Sequence, residues 1–280
     1  MNYLRILNEA KKKLIDSNIS TPNIDSEILL SHILKIDREK LLCNLESKID
    51  IEQIYNFKNL LNLRQKKMPI AYIIKKKEFW KNNFFVDRSV LIPRPESEII
   101  LEKALANIKK NESKKILDIG TGSGCLIISI LLERIKCKGT ALDISKKAIN
   151  IAKINAKIQH VENRITFVNS DIDKFYSSKY DLIISNPPYI KKHKINSLIE
   201  DVKNYEPIKA LNGGVKGNEV LKIVINKSSK LLRKGGKLIL EIDDTQLYLL
   251  KEMLLENKFY LNEIIKDLQG LSRCLILTKH

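Results

Sequence analysis

The segment Ser185-Asn186-Pro187-Pro188-Tyr189 carries the most chemical content in this chain. It follows an apolar run, Leu182–Ser185, with the length and composition of a buried strand. Its two prolines fix φ and supply no N–H donor. The carbonyls of Asn186 and Pro187 are therefore left free to accept, and the Asn186 side-chain oxygen adds a third acceptor. Acceptors converging at a strand end suit an NH2 group on a planar nitrogen. The lone pair of such a nitrogen is delocalised, so it attacks a methyl group poorly. Acceptors on both N–H bonds favour the positive charge that develops on nitrogen and align the lone pair. Tyr189 offers an aromatic wall to a planar group. The pattern meets the demand of methylating an amide or an exocyclic amine, with Asn186, Pro187 and Tyr189 as the catalytic residues. No base is needed before attack, because the proton can leave afterwards. The plain alternative is a proline turn that ends a strand.

A second constellation lies upstream. Ile116-Leu117-Asp118-Ile119-Gly120-Thr121-Gly122-Ser123-Gly124 reads as strand, glycine loop and helix start. The spacing is G-x-G-x-G; the dinucleotide pattern would need glycine at position 125, where Cys125 stands. Asp143 ends the next expected strand, 23 residues beyond Gly120. A carboxylate at about that distance receives ribose hydroxyls in doubly wound folds. Asp143 otherwise caps the helix that begins near Ser145. Asp171, after the third strand, borders an adenine or else caps a turn. For the loop itself, a tight structural turn is the alternative. Together, at the ends of three successive strands, these residues favour a nucleoside-bearing cofactor at the carboxyl edge of a sheet.

Around these segments the pattern changes once. Early on it is helical: Ile24–Leu34 has Ile24, Ile28, Leu29 and Ile33 at helical spacing, and Ile51–Leu63 has Ile54, Phe57, Leu60 and Leu61. Pro22 fits the boundary before the first of these, and Met68-Pro69 closes the helical region. Ala71–Asp87 reads as a hairpin turning at Lys81-Asn82-Asn83. The prolines of Leu91-Ile92-Pro93-Arg94-Pro95-Glu96 exclude regular helix before Pro95, which suits a first helical position. From Lys115, short apolar runs alternate with amphipathic segments: Ile116–Ile119, Gly139–Leu142, Ile165–Val168, Leu182–Ser185 and Lys237–Ile242. That alternation predicts an α/β fold with a mainly parallel sheet. Tyr260–Ile265 and Cys274–Thr278, joined by a short turn, predict an antiparallel edge. The resulting division is a helical domain over 1–68, a hairpin linker over 69–88 and an α/β domain over 89–280.

Composition narrows the class. The chain has 280 residues, 44% of them hydrophobic, with no apolar run of membrane-spanning length. Its first 18 residues pattern as an amphipathic helix and not as a signal peptide, which makes the cytoplasm the expected location. The four cysteines, Cys43, Cys125, Cys137 and Cys274, form no C-x-x-C pair, and the four histidines show no ligand spacing, so no metal is expected. The net charge of +17 would attract nucleic acid, but its lysines are scattered. Lys, Ile and Asn are all abundant, as AT-rich codons would make them. Nucleic-acid contact is thus compatible with the charge without being required by it.

N-P-P-Y downstream of a strand and a G-x-G-x-G loop resembles the class I methyltransferases that act on planar nitrogens. Other segments resemble one branch of them, the release factor glutamine methyltransferases. Leu91-Ile92-Pro93-Arg94-Pro95-Glu96-Ser97-Glu98 is similar to that family's L-I-P-R-P-x-T-E, with Ser97 in place of Thr. Pro69–Ile73 with Glu78-Phe79 is similar to its interdomain hairpin, and Asp25–Leu30 to its N-terminal helical domain. Tyr205-Glu206-Pro207, Ala210-Leu211 and Gly213-Gly214 resemble the stretch after its N-P-P-Y. The resemblance runs from about Asp25 to Thr278. It implies a Rossmann-like, seven-stranded class I methyltransferase sheet with an antiparallel edge and a small N-terminal helical domain for substrate recognition. It implies S-adenosyl-L-methionine as cofactor, with contacts from Asp118, Gly120, Thr121, Gly122, Ser123, Gly124, Asp143, Asp171, Ile172 and Asn186. It implies a substrate amide held by Asn186, Pro187, Pro188 and Tyr189, the acceptor being the glutamine of the Gly-Gly-Gln motif in class 1 peptide chain release factors. Two positions depart from the family pattern: Ile172, often aromatic, and Glu241-Ile242-Asp243, where the family has E-x-G.

Two rival readings remain open on sequence alone. An adenine-N6 or rRNA methyltransferase would share the glycine loop and N-P-P-Y but leaves Arg94-Pro95-Glu96 and the helical N-terminus unexplained. A catalytically silent basic RNA-binding module leaves the glycine loop, Asp143 and Asn186 unexplained.

Overall fold

The early helical pattern becomes five helices in the computed structural model, which describes residues 1–177 and 179–280. They are α1 (Tyr3–Asp16), α2 (Pro22–Leu34), α3 (Arg38–Leu42), α4 (Ile51–Gln65) and the single turn α5 (Ile70–Ile73). Met68-Pro69 does not end the helical region, because Pro69 stands at the cap of α5, where its missing N–H costs nothing, and its carbonyl accepts from Tyr72 and Ile73. In α2 the buried face is Asp25, Ser26, Leu29 and Leu30, and Ile24 is exposed. That rotation follows from a buried ion pair. Arg64 Nε donates to Asp25 Oδ2 at 2.6 Å, and Arg64 also meets Asp201 at 2.7 Å. Removing one member of such a pair typically costs about 3–5 kcal/mol, since the other charge stays buried alone. Residues Met1–Lys76 and Ile199–Tyr205 form one compact unit, with Ile6, Leu14, Leu30, Phe57 and Leu61 in its core.

Lys77–Leu198 and Glu206–His280 form the second unit. A hairpin of β1 (Lys76–Phe79) and β2 (Asn82–Phe85) precedes α6 (Glu98–Ala106). The hairpin turns at Trp80-Lys81 and not at Lys81-Asn82-Asn83. Trp80 takes φ 57° because its backbone N–H is held by Glu98 at 2.7 Å and its ring N–H by Glu133 at 3.0 Å. The chain continues through β3 (Lys115–Ile119), α7 (Cys125–Glu133), β4 (Lys138–Asp143), α8 (Lys146–Ile158), β5 (Ile165–Asn169) and β6 (Tyr180–Ser185). The short helix α9 (Glu200–Lys203) belongs to the first unit; the second resumes with α10 (Ile208–Leu211), α11 (Glu219–Leu231), β7 (Leu232–Glu241), α12 (Leu250–Glu256), β8 (Phe259–Lys266) and β9 (Ser272–Lys279).

The seven-stranded sheet has the order β5-β4-β3-β6-β7-β9-β8. Its first five strands are parallel, and β9 and β8 close it antiparallel, as the alternation and the final strand pair predict. Successive side chains of a strand face opposite sides. Accordingly Ile116, Leu182 and Ile184 pack with α6 and α7 on one face, while Leu117, Ile183 and Leu238 pack with α11 and α12 on the other. Both faces are covered, so the strands read as continuous apolar runs. The strand order reverses beside β3, which makes the crevice beyond the carboxyl ends of β3 and β6 the switch point where ligands bind in open α/β sheets. No helix among the described residues is long and apolar enough to cross a membrane.

Candidate active site

Strand register puts the chemical residues in one line. Ile119 pairs with both Leu142 and Ser185, and Ser185 pairs with Leu240. One residue further along the four chains come Asp143, Gly120, Asn186 and Glu241. The glycine loop and N-P-P-Y thus leave neighbouring strands at the same height, and Ser185 Oγ ties them by donating to the Ile119 carbonyl at 2.7 Å.

The glycine loop is built locally. Gly120 and Gly122 have φ of 75° and 55°, and a Cβ on either would meet nothing within 4 Å. These two glycines are required by backbone conformation, and their outer faces are open. Gly124 is different: its φ is 81° and a Cβ there would lie 2.8 Å from Ile128 and 3.2 Å from Ala152, so it also lets α7 approach α8. Thr121 Oγ1 donates to Asp118 Oδ2 at 2.7 Å. Asp118 Oδ1 and Ser123 Oγ are buried without a hydrogen-bond partner among the described residues. Burial pushes the Asp118 carboxyl up to about 7, against the Thr121 hydrogen bond and with the help of Asp143. An acceptor left unpaired in this way carries an unmet demand.

Asp143 does two things at once. One oxygen accepts from Gly122 N at 2.9 Å and the other from Ser145 N at 2.8 Å. The cap of α8 is Ser145, whose hydroxyl accepts from Ala148 N. Asp143 therefore braces the loop and its own turn, and each of its oxygens keeps a lone pair for a hydroxyl. Asp171 caps the short 3-10 turn Ile172–Lys174, accepting from Asp173 N at 3.0 Å, and Ile172 packs against the α11–α12 core.

Asn186 is held from the far side. Its Nδ2 donates to Ser97 Oγ at 2.8 Å, and Ser97 Oγ donates to Glu241 Oε2 at 2.6 Å. Its Oδ1, and the carbonyls of Asn186 and Pro187, meet no protein donor among the described residues. Glu241 is 4% exposed, and burial raises its carboxyl to about 7. The backbone that follows is hydrogen-bonded at Ile190 and closely approached at Pro188 and Tyr189. Ile190 N donates to Leu211 O and Gly213 N to Ile190 O. A Cβ on Gly213 would lie 2.7 Å from Pro188 O and 2.8 Å from Tyr189 Cα, and one on Gly217 2.7 Å from Tyr189 O. Burial, followed by the nearby Glu241 carboxylate, raises the Tyr189 hydroxyl to about 12. Tyr189 is therefore a neutral phenol and no base at neutral pH. Arg94 Nη2 meets the buried Glu206 at 2.5 Å, joining the Pro93-Arg94-Pro95 segment to the stretch after N-P-P-Y.

Sequence reasoning missed the supporting residues. Ser97 and Glu241 were visible only as motif positions, although an acid ending the apolar run Leu238-Ile239-Leu240 signals a buried carboxyl. Asn155 gave no signal: buried on α8, it accepts from Phe85 N and donates to Phe85 O and Ser123 O, joining the hairpin to the glycine loop.

Residues 97–205 match the methyltransferase small domain and residues 5–74 the PrmC N-terminal domain. A release factor glutamine methyltransferase of Clostridium acetobutylicum is 37% identical over 91% of this chain and 90% of its own length. The chain belongs to the release factor glutamine methyltransferase family. A bifunctional methyltransferase of Rickettsia felis is 33% identical over 98% of the chain, which spans 57% of that longer protein. A methyltransferase from Pyrococcus furiosus, 20% identical, superposes with a TM-score of 0.53 over 70% of this chain and 88% of its own, which supports the fold. The enzyme is thus an S-adenosylmethionine-dependent methyltransferase by family, and its residues fit that cofactor. Open space lies outside Gly120 and Gly122, and a buried acceptor without a hydrogen-bond partner among the described residues stands at Asp118 Oδ1.

Proposed function

We propose that this chain methylates the side-chain amide nitrogen, N5, of the glutamine in the Gly-Gly-Gln motif of class 1 peptide chain release factors, and so modulates translation termination. The observation that carries this reading is the side-chain orientation of Asn186. Its NH2 is engaged by Ser97, which leaves its oxygen and two neighbouring carbonyls as acceptors at the height of the glycine loop.

S-adenosylmethionine supplies a methyl group on a positively charged sulfur. Asp118, Gly120 to Gly124, Asp143, Asp171, Ile172 and Asn186 would hold it. Gly122 offers an open backbone face, Asp143 accepts a ribose hydroxyl pair, and Ile172 gives an apolar flank where an aromatic ring is the commoner choice. Asn186 Oδ1 and the Pro187 carbonyl accept from the glutamine NH2. They turn its lone pair toward the methyl carbon and favour the charge that grows on nitrogen. Pro188 keeps this backbone rigid, and Tyr189 walls the amide plane. As the N–C bond forms and the C–S bond breaks, the nitrogen becomes strongly acidic and its proton is lost to water. Residues 1–68 would recognise the body of the release factor and 69–88 would connect the two parts, in the cytoplasm with translation.

Mass spectrometry of a purified release factor incubated with the enzyme and S-adenosylmethionine tests this. One methyl group is expected, on the Gly-Gly-Gln glutamine. A free Gly-Gly-Gln peptide should be methylated with a much higher KM than the intact factor, because it lacks the surface that the helical domain reads. Methylation of DNA or rRNA adenine instead would defeat the substrate assignment.

A further inference from the structure

We propose that Ser97 and Glu241 are positioning residues that fix which way the Asn186 amide faces, so that it presents its oxygen and never its NH2 to the substrate nitrogen. The proposal rests on the methyl-transfer reading above and concerns residues that touch neither reactant.

The argument is one of donor and acceptor counting. An asparagine amide is nearly symmetric in shape, and only hydrogen bonds decide which end is which. The substrate nitrogen carries two N–H donors, so it needs the oxygen; an NH2 facing it would leave donors opposed. Ser97 has one proton and acceptor lone pairs. A carboxylate is acceptor-only, so ionised Glu241 accepts a hydrogen bond from the Ser97 hydroxyl across 2.6 Å. Ser97 Oγ then has only acceptor capacity left, and the group it faces at 2.8 Å must be the Asn186 NH2. The direction of the chain is set at Glu241 and passed chiefly through the Ser97 hydroxyl, with Glu241 also acting on the Asn186 amide itself.

Burial favours this control. Ser97 and Glu241 are both 4% exposed, so water does not compete for either bond. The strand supplies Glu241 at the same sheet level as Asn186, since Ser185 pairs with Leu240. Pro95 and the 3-10 turn Pro95–Ser97 bring the hydroxyl between them. If Glu241 is protonated, it can donate to Ser97, whose own proton then points at Asn186. That arrangement suits the flipped amide, with the oxygen facing inward and the NH2 toward the substrate. The groups acting on Glu241 are the Ser97 hydroxyl, Arg273 of β9, Glu96 of the 3-10 turn and the Asn186 amide. Tyr189 and the Cys274 thiol face it as neutral groups, both raised by burial before its charge.

The test uses the full-length enzyme with Ser97→Ala, Ser97→Thr and Glu241→Gln. Two readouts are taken: steady-state transfer to a purified release factor, and the side-chain NH2 resonances of Asn186 in asparagine-labelled protein, assigned by their loss in Asn186→Ala. Hydrogen-bond partners that orient metal ligands typically contribute about 10–100-fold, and orientation of Asn186 is expected to matter on the same scale. Ser97→Ala should lose about that much in kcat with calorimetric cofactor Kd unchanged, and Ser97→Thr should restore it. The wild-type rate should rise with pH as Glu241 ionises, and Glu241→Gln, whose amide can face Ser97 either way, should flatten that limb. The Asn186 resonances should shift over the same pH range in wild type and Ser97→Thr but not in Glu241→Gln. Unchanged Asn186 resonances in Ser97→Ala, or a kcat within twofold of wild type, would overturn the proposal. Failure of wild type to methylate any release factor would instead sink the functional reading, while the resonances would still decide the amide orientation.

Discussion

The two loops that meet at the switch point are held in different ways. The glycine loop is held mostly from nearby in the chain: Thr121 to Asp118 spans three residues, Gly122 to Asp143 spans 21 and Asn155 to Ser123 spans 32. N-P-P-Y is fixed from afar: Asn186 to Ser97 spans 89 residues and Ser97 to Glu241 spans 144. The first loop needs backbone freedom, which glycine supplies wherever it stands. The second needs a rigid backbone and one side chain in one orientation, and only packed neighbours can provide the latter. On the proposed reading, a cofactor of constant shape is met by a loop held largely by its neighbours in sequence. On the same reading, the nitrogen that reacts is met by Asn186, whose orientation Ser97 and Glu241 hold from distant parts of the chain.

The largest effect should come from the chemistry itself. Asn186→Ala removes the acceptor proposed for the substrate NH2, and the loss of one preorganised partner typically costs about 10²–10³ in rate. The expected result is that fall in kcat, with cofactor Kd within a few fold and the fold intact by circular dichroism. A fall in cofactor affinity of the same size would erase the distinction between the loops. Asp143→Ala should act on the other side, costing on the order of 1.5–3 kcal/mol in S-adenosylmethionine affinity through a lost charge-assisted hydrogen bond. Because Asp143 also receives Gly122 N and Ser145 N, the variant should show some loss of stability as well. Calorimetry beside a denaturant titration separates the two, and an unchanged Kd would leave Asp143 as a brace alone.

A third variant tests the remote support. Alanine at Gly213 would push a Cβ to 2.7 Å from the Pro188 carbonyl, a contact that backbone must yield to. Overpacking of this sort costs about 1–3 kcal/mol. Gly213→Ala should therefore lower kcat by moving Pro188 and Tyr189 while leaving cofactor Kd unchanged. Equal effects on both would mean that the loops move as one.

The same contrast explains what the sequence disclosed. The strands β3 and β6 are buried on both faces, so their apolar runs stand out. Gly120 and Gly122 announce a loop because no other residue adopts their φ so readily, and the prolines of N-P-P-Y announce a stop. What escaped notice depends on partners distant in the chain. Ile24 fits the helical spacing of α2, yet Asp25 is inside because Arg64 is there to receive it. Asn82-Asn83 look like the hairpin turn, yet Trp80 takes it because Glu98 and Glu133 hold it. Ser97 and Glu241 stand in the sequence only as motif positions without a role until the fold stacks them behind Asn186.

The smallest expected effect is also the one that isolates the cofactor side. Asp118 is an ionisable group whose second oxygen is buried and unpaired. Its carboxyl sits near 3.9 in an unfolded chain and is raised to about 7 in the fold, chiefly by burial. A raised carboxyl pKa means that the folded protein binds the proton more tightly than the unfolded one. The stability this confers is complete below the unfolded value and is lost as pH rises through about 7. Asn at this position keeps an acceptor for Thr121 and never ionises. The apo Asp118→Asn enzyme should therefore melt below or level with wild type at pH 5 and several degrees above it at pH 8. Glu241 titrates in the same window but is present in both proteins, so the difference belongs to Asp118. Saturating S-adenosylmethionine should reverse the order at pH 8, because a bound donor meets the unpaired oxygen of wild type and finds no charge in the variant. Thermal melts at the two pH values, with and without cofactor, read this directly. A melting difference that ignores both pH and cofactor would show that the buried oxygen faces only protein, and would take Asp118 off the cofactor side of the comparison.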